Sequence, residues 1–256
     1  FFFKQKTAYE IVDCDWSSDV CSSDLVIRTT AADRGAPLMR LGQDFQAVGL
    51  GSEAFSFHSR SRRLDGLTCA LAGRHQLDNA ACAVALLEAA GGGGITVDET
   101  AVRRGLQAVP WEGRLEVLER GPDLVLDGAH NPAAALVLAE YLTEWRALRP
   151  EARVILVLGM MRDKDPAGFV EPLCGLVTEA VLTQADMARS ATALELQNTI
   201  GSRFRRCHVA PNAAEALALA RTCAGPQDLI CVTGSLMLVG EVKALVRGCG
   251  VSPLRG

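Results

Sequence analysis

From about residue 111 onward, apolar positions fall into short runs that alternate with helical stripes. Residues 124–126, Leu-Val-Leu, form an unbroken apolar run, the pattern of a strand buried on both faces. Asn131 and Pro132 read as N-cap and first helical residue, because Asn accepts from the orphan amides and Pro lacks one. The helix that follows carries Ala135, Leu138, Leu142 and Trp145 on one face. Residues 154–158 predict a second strand, closing at Gly159, and Asp165-Pro166 starts a helix expected to reach about Val177. Next come a strand at 180–183, a helix around 191–197, a strand at 206–209 and an amphipathic helix over 212–223. A strand at 228–233 and a helix from Gly234-Ser235 to about Arg247 complete the series. Strands and helices alternating in this way predict right-handed crossovers and a mostly parallel sheet covered on both faces.

Upstream the period changes. Residues 26–71 are short and polar-interrupted, with Phe55 and Phe57 alternating with Ser56 and His58, which predicts a hairpin or small antiparallel sheet. The basic turn at 59–63 is a phosphate contact or, more simply, a solvated turn. Residues 76–90 form an Ala/Leu-rich helix, and Gln76 and Asn79 share a face of its first turn, as capping residues or as ligand contacts. A second helix spans 97–106. Residues 108–118 are the expected domain junction, where Pro110 ends a helix and Leu115 and Val117 begin a strand pattern. Arg114, directly after a glycine, is either surface charge or a phosphate contact.

Residues 1–25 match neither pattern. They lack the apolar core of a signal peptide and resemble translated sequencing adapter, with a disordered native leader as the alternative. On the adapter reading, the natural protein is expected to extend further upstream.

Composition narrows the class. Hydrophobic residues make up 49% of the 256, enough for a substantial core, and a net charge of −4 argues against a nucleic-acid surface. No apolar run approaches the roughly 20 residues of a membrane span. The nine cysteines show no zinc-type spacing and suit buried free thiols in a reducing cytoplasm. We therefore expect a cytoplasmic protein without nucleic-acid or membrane partners; it is expected to be a monomer.

Candidate chemistry gathers at the strand ends. Asp127 ends the 124–126 strand, with His130 beside a helix N-terminus, where open α/β sheets bind nucleotides and other anions. The loop after 154–158 carries Lys164 between two acids, Ala188-Arg189-Ser190 follows the 180s strand, and Thr233-Gly234-Ser235 opens the last helix. Charged loops are common singly; four on one sheet edge point to one site.

Five segments, in order, carry a resemblance: Gly73-x-His75-Gln76-x-x-Asn79, Trp111-x-Gly113-Arg114-Leu115-Glu116, Leu126-Asp127-Gly128-Ala129-His130-Asn131-Pro132, Asp163-Lys164-Asp165 and Thr233-Gly234-Ser235. Together they resemble the bacterial bifunctional folylpolyglutamate synthase/dihydrofolate synthase family of the Mur ligase superfamily, from about residue 26 to 247. The resemblance implies an ATP-dependent ligase that joins L-glutamate to dihydropteroate or a folate through an acyl phosphate. It implies that residues 26–109 are the tail of a P-loop ATPase domain and 111–256 a Rossmann-like C-terminal glutamate-ligase domain. Gln76 and Asn79 would face the adenine of ATP, Arg114 its phosphates and Asp127 its ribose, with His130 lining the same pocket; Arg114 and His130 are the catalytic candidates. Lys164 and Ser235 would hold the carboxylates of the incoming glutamate. The chain contains no Gly-x-x-x-x-Gly-Lys-Ser/Thr, so the family's P-loop and Mg²⁺ ligands are expected upstream, no metal ligands are expected here, and the chain as written is expected to be inactive. Glu112 stands where the family usually has Pro. Two rival readings are a Mur-type ligase acting on a peptidoglycan precursor, against which Gly128 argues, and a non-catalytic nucleotide-binding or subunit-interaction module.

Overall fold

The computed structural model describes residues 2–4, 22–49, 54–91 and 94–249, with side chains from residue 26. The chain divides into two compact units, Phe1–Trp111 and Glu112–Gly256.

In the first unit, β1 (Phe2–Lys4) pairs in parallel with β2 (Leu38–Arg40), and α1 (Ser22–Asp33) lies between them in sequence. Both differ from expectation. A three-residue backbone pairing needs no side-chain period, so β1 left no trace in the pattern. The β-branched residues Val26, Ile27, Thr29 and Thr30 read as strand, yet they lie in α1. That helix closes with a Schellman pair, Ala36 N to Ala31 O at 2.9 Å and Gly35 N to Ala32 O at 3.1 Å, with Gly35 at φ +59°. The rest of the 1–21 segment lies outside the described residues.

β3 (Phe45–Gly49), β4 (Ala54–Ser59) and β5 (Arg63–Thr68) form the expected antiparallel sheet. Phe45, Phe55, Phe57, Leu64 and Leu67 pack from it against Leu77, Ala81 and Val84 of α2 (His75–Gly91) and Val102 and Leu106 of α3 (Glu99–Gln107). The basic turn is anchored through its serines, since Ser59 and Ser61 both donate to Glu88 of α2.

The second unit is a six-stranded sheet in the order β10-β9-β8-β11-β7-β6. It is built from β6 (Glu116–Glu119), β7 (Asp123–Leu126), β8 (Val154–Leu158), β9 (Glu179–Leu182), β10 (Cys207–Val209) and β11 (Leu229–Thr233). All neighbours are parallel except β6, which forms an antiparallel hairpin with β7 at one edge. The helices are α4 (Pro132–Ala147), α5 (Pro166–Val170), α6 (Ala193–Ile200), α7 (Ala213–Cys223) and α8 (Leu236–Arg247). α5 stops at Val170, short of Val177, because Pro172 has no amide to continue it and crowds the preceding turn. The central strands β8, β9 and β11 are buried along their whole length, and Leu126, Ile155, Val157, Ile230 and Val232 pack against α7 and α8. The fold is thus α/β and Rossmann-like, with a mostly parallel sheet. No helix among the described residues is long and apolar enough to cross a membrane.

Candidate functional site

The chain runs from β7 past one position to β8, continues outward through β9 and β10, then returns to place β11 between β7 and β8. The loops that follow these three central strands are therefore neighbours at the carboxyl edge, where the direction of winding reverses. Backbone bonds join them. Asp127 N donates to Val232 O at 3.0 Å, Gly234 N to Ala129 O at 2.8 Å and Gly159 N to Thr233 O at 3.3 Å. Gly234 takes φ +94°, and a Cβ there would stand 2.7 Å from Gly159 O. Only glycine allows that approach.

Asp127 follows β7 and is 4% exposed. Its Oδ1 accepts from the Ala129 amide at 2.9 Å and its Oδ2 from the Leu115 amide at 3.1 Å. Burial pushes its carboxyl up to about 6, against the pull of those amides and of the nearby Arg114 guanidinium. Asp127, the residue expected to meet a ribose, thus has each oxygen on a backbone amide. Both oxygens face inward, because the amides of the adjoining loops must find acceptors once they leave water.

Asp127 is one of three anchors on the loop that bears Arg114. Gly113 (φ +70°) and Leu115 (φ +46°) both adopt left-handed backbone, uncommon for leucine. Gly113 O accepts from Gly128 N at 2.8 Å, and Gly113 N donates to Glu116 Oε2 at 2.8 Å. Half-buried Arg114 stands between these two pinned residues. Glu116 is held in turn by Lys243 of α8, whose Nζ lies 2.6 and 2.8 Å from its two oxygens and 2.9 Å from Glu112 Oε1. Bonds from Lys243 and Arg247 hold the Glu112 carboxyl below its ordinary value. Sequence reasoning missed Lys243, although a signal existed. It lies one turn beyond Val239 and beside Val242, on the buried stripe of α8, and is only 7% exposed.

His130 Nδ1 lies 2.9 Å from Gly128 O. A carbonyl only accepts, so Nδ1 carries the proton, and in the neutral ring Nε2 is the acceptor. Asn131 caps α4 as expected, accepting from Ala134 N at 2.9 Å, with Pro132 following. Ser235 is buried and caps α8, its Oγ accepting from Met237 N at 3.1 Å, which leaves its proton to donate. Lys164, on the loop after β8, lies 3.5 Å from Asp163, which also pairs with Arg189 at 3.5 Å. In the first unit, Asn79 Nδ2 donates to Gln76 Oε1 at 2.9 Å, and Gln76 Nε2 meets His75 Nε2 at 2.8 Å. Arg114, Asp127, His130, Lys164 and Ser235 thus share one sheet edge of the second unit, while Gln76 and Asn79 form a bonded pair in the first.

Residues 113–236 match the glutamate ligase domain of the Mur ligases. The dihydrofolate synthase/folylpolyglutamate synthase of Escherichia coli (strain K12) is 31% identical over 86% of this chain and 49% of its own length. Residues 113–236 thus belong to the Mur ligase family as its glutamate ligase domain, and the chain is similar to the dihydrofolate synthase/folylpolyglutamate synthases. The solved structure of E. coli FolC in complex with DHPP and ADP is similar with a TM-score of 0.78 at 29% identity, covering 89% of this chain and 51% of that one. The bifunctional synthase from Yersinia pestis complexed with AMPPNP and Mn ion gives 0.76 at 29% identity, over 90% and 52%. This chain spans about half the length of the curated relatives it matches. Within this Mur ligase unit the matched region opens at Gly113, the anchored glycine before Arg114, and closes at Leu236, the residue after the Ser235 cap.

Proposed function

We propose that this chain serves an ATP-dependent ligase that adds L-glutamate to dihydropteroate, to folates or to both. In such a reaction ATP converts the acceptor carboxylate to an acyl phosphate, which the glutamate amine attacks with release of phosphate. Residues 26–109 supply the C-terminal part of the ATPase domain, where Gln76 and Asn79 offer paired amide groups to adenine. Residues 111–256 supply the glutamate-ligase domain. There Arg114 brings positive charge to the phosphates, where charge develops in phosphoryl transfer. His130 Nε2 lines the same edge as an acceptor, and Lys164 and the Ser235 hydroxyl address the glutamate carboxylates. Asp127 enters as a positioning residue, since its oxygens hold Leu115 and Ala129.

The observation that carries this reading is the pinned 113–116 loop, which presents an arginine at the switch point of the sheet of a glutamate ligase domain. Phosphoryl transfer also needs a P-loop lysine and Mg²⁺, and no Gly-x-x-x-x-Gly-Lys-Ser/Thr occurs in these 256 residues. We therefore expect the purified chain to bind ADP weakly and saturably by calorimetry, and Arg114→Ala to weaken that binding by about 1–3 kcal/mol. We expect no phosphate release with ATP, glutamate and dihydropteroate. ADP binding untouched by Arg114→Ala would refute the role of the loop. Turnover abolished by that substitution would show that the catalytic apparatus lies within these residues.

A further inference from the structure

At the opposite, amino-terminal edge of the six-stranded sheet lies a cluster that plays no part in the proposed reaction. Glu179 opens β9 and is buried; His208 is the middle residue of the edge strand β10; Cys223 is the last residue of α7. Their donor atoms all lie within 4.8 Å of one another. The two oxygens of Glu179 are divided between two kinds of neighbour. Oε1 takes the guanidinium groups of Arg206 at 3.1 Å and Arg153 at 3.4 Å. Oε2 faces His208 Nε2 at 3.3 Å. Arg153 is fixed in its turn by Asp228 at 2.7 Å and by Cys223 O at 2.7 Å.

From this arrangement we propose a transition-metal site of the zinc class, with Glu179 Oε2, His208 Nε2 and Cys223 Sγ as three protein ligands and a fourth position open to water. A carboxylate, an imidazole and a thiol are the donors that a borderline-soft ion takes together. Two ligand atoms 3.3 Å apart span the edge of a tetrahedron whose centre lies ~2.0 Å from each, the ordinary bond length of zinc to nitrogen or oxygen. Arg153 and Arg206 occupy the oxygen that the ion does not need, which is how a ligating carboxylate is held by an outer shell. On binding, the Cys223 thiol gives its proton to solvent and the ion takes the thiolate, so charge balances without any redox step. The edge position of β10 gives the ion a way in. The bound ion would tie β9, β10 and the end of α7 together, independently of the ligase reading.

The test uses the full chain, freed of metal, with Co²⁺ and Zn²⁺ as probes. Co²⁺ should saturate with thiolate charge-transfer absorption and the visible bands of a tetrahedral site, and Zn²⁺ should displace it. Cys223→Ser and His208→Gln should each weaken binding by more than the roughly 10–100-fold typical of losing an outer-shell partner, while Cys249→Ser leaves it unchanged. In the unsubstituted chain, Zn²⁺ should slow alkylation of Cys223, read by peptide mass spectrometry, which needs no variant to fold. A cobalt spectrum that survives Cys223→Ser, the absence of saturable binding, or alkylation of Cys223 at the same rate with and without Zn²⁺ would each overturn the site and leave a hydrogen-bonded charge cluster.

Discussion

Asp127→Asn tests the electrostatics of the loop anchor. Burial raises the Asp127 carboxyl from 3.8 to about 6 in the folded chain. That shift is roughly 2 units, or ~3 kcal/mol of preference for the protonated form. The sign follows from linkage. The folded state binds this proton more tightly than the unfolded state, so folding takes up a proton between about pH 4 and pH 6. The stability this affords is complete below the unfolded value and is lost as pH rises through about 6. Asparagine does not ionise and loses nothing over that window. It does carry a separate, pH-independent cost. Its single carbonyl oxygen cannot serve the amides of both Leu115 and Ala129 as two carboxylate oxygens do, and one N–H left facing an NH₂ costs ~1–3 kcal/mol. The variant should therefore be the less stable protein near pH 4, and the difference should move in its favour by ~3 kcal/mol on reaching pH 7, enough to close or reverse it. Urea unfolding of both proteins across that range, followed by the fluorescence of buried Trp145 in the second unit, measures the difference directly. Shifts at Glu179, Asp228 and Glu241 occur in both proteins and cancel. A difference that stays constant within about 0.5 kcal/mol from pH 4 to 7 would refute the argument, since Asp127 would then titrate as an exposed aspartate does.

Two further substitutions probe the same edge. Lys243→Met keeps the apolar stem and removes the charge from Glu116 and Glu112; because Glu116 is partly exposed and Arg247 stands 3.7 Å away, the loss should be ~1–3 kcal/mol, below the range for a fully buried pair. A double-mutant cycle with Glu116→Gln should return most of that loss as coupling, and simple additivity would show that the pair does not hold the loop. Gly234→Ala meets left-handed backbone and the Gly159 carbonyl at 2.7 Å, so it should cost ~2–5 kcal/mol, read as a fall in Tm. Gly240→Ala, on the exposed face of α8 with nothing within 4 Å, should instead gain ~0.5–1 kcal/mol, and equal effects at the two positions would refute the packing argument.

Wherever local chemistry decides an element, the sequence was sufficient by itself. The apolar runs at 124–126 and 154–158, the Asn131-Pro132 start of α4 and the alternation of Phe55 and Phe57 each state their structure within a few residues, because burial period and capping are local. The same holds for the motifs, so the family and most of the polar edge residues were legible in the sequence. Two local misreadings were α1 as strand, where the β-branched residues did not decide the conformation, and α5 as a long helix, which Pro172 cuts short. Three things only the tertiary structure decided: that Asp127 turns inward to two backbone amides, that Lys243 reaches from the last helix to Glu116 and Glu112, and that Glu179, His208 and Cys223 converge at the opposite edge. The first depends on desolvation at the buried sheet edge, and the other two join residues far apart in the chain, which only the closed sheet brings together. A sequence lists donors and acceptors; which of them must satisfy one another is settled by what the fold removes from water.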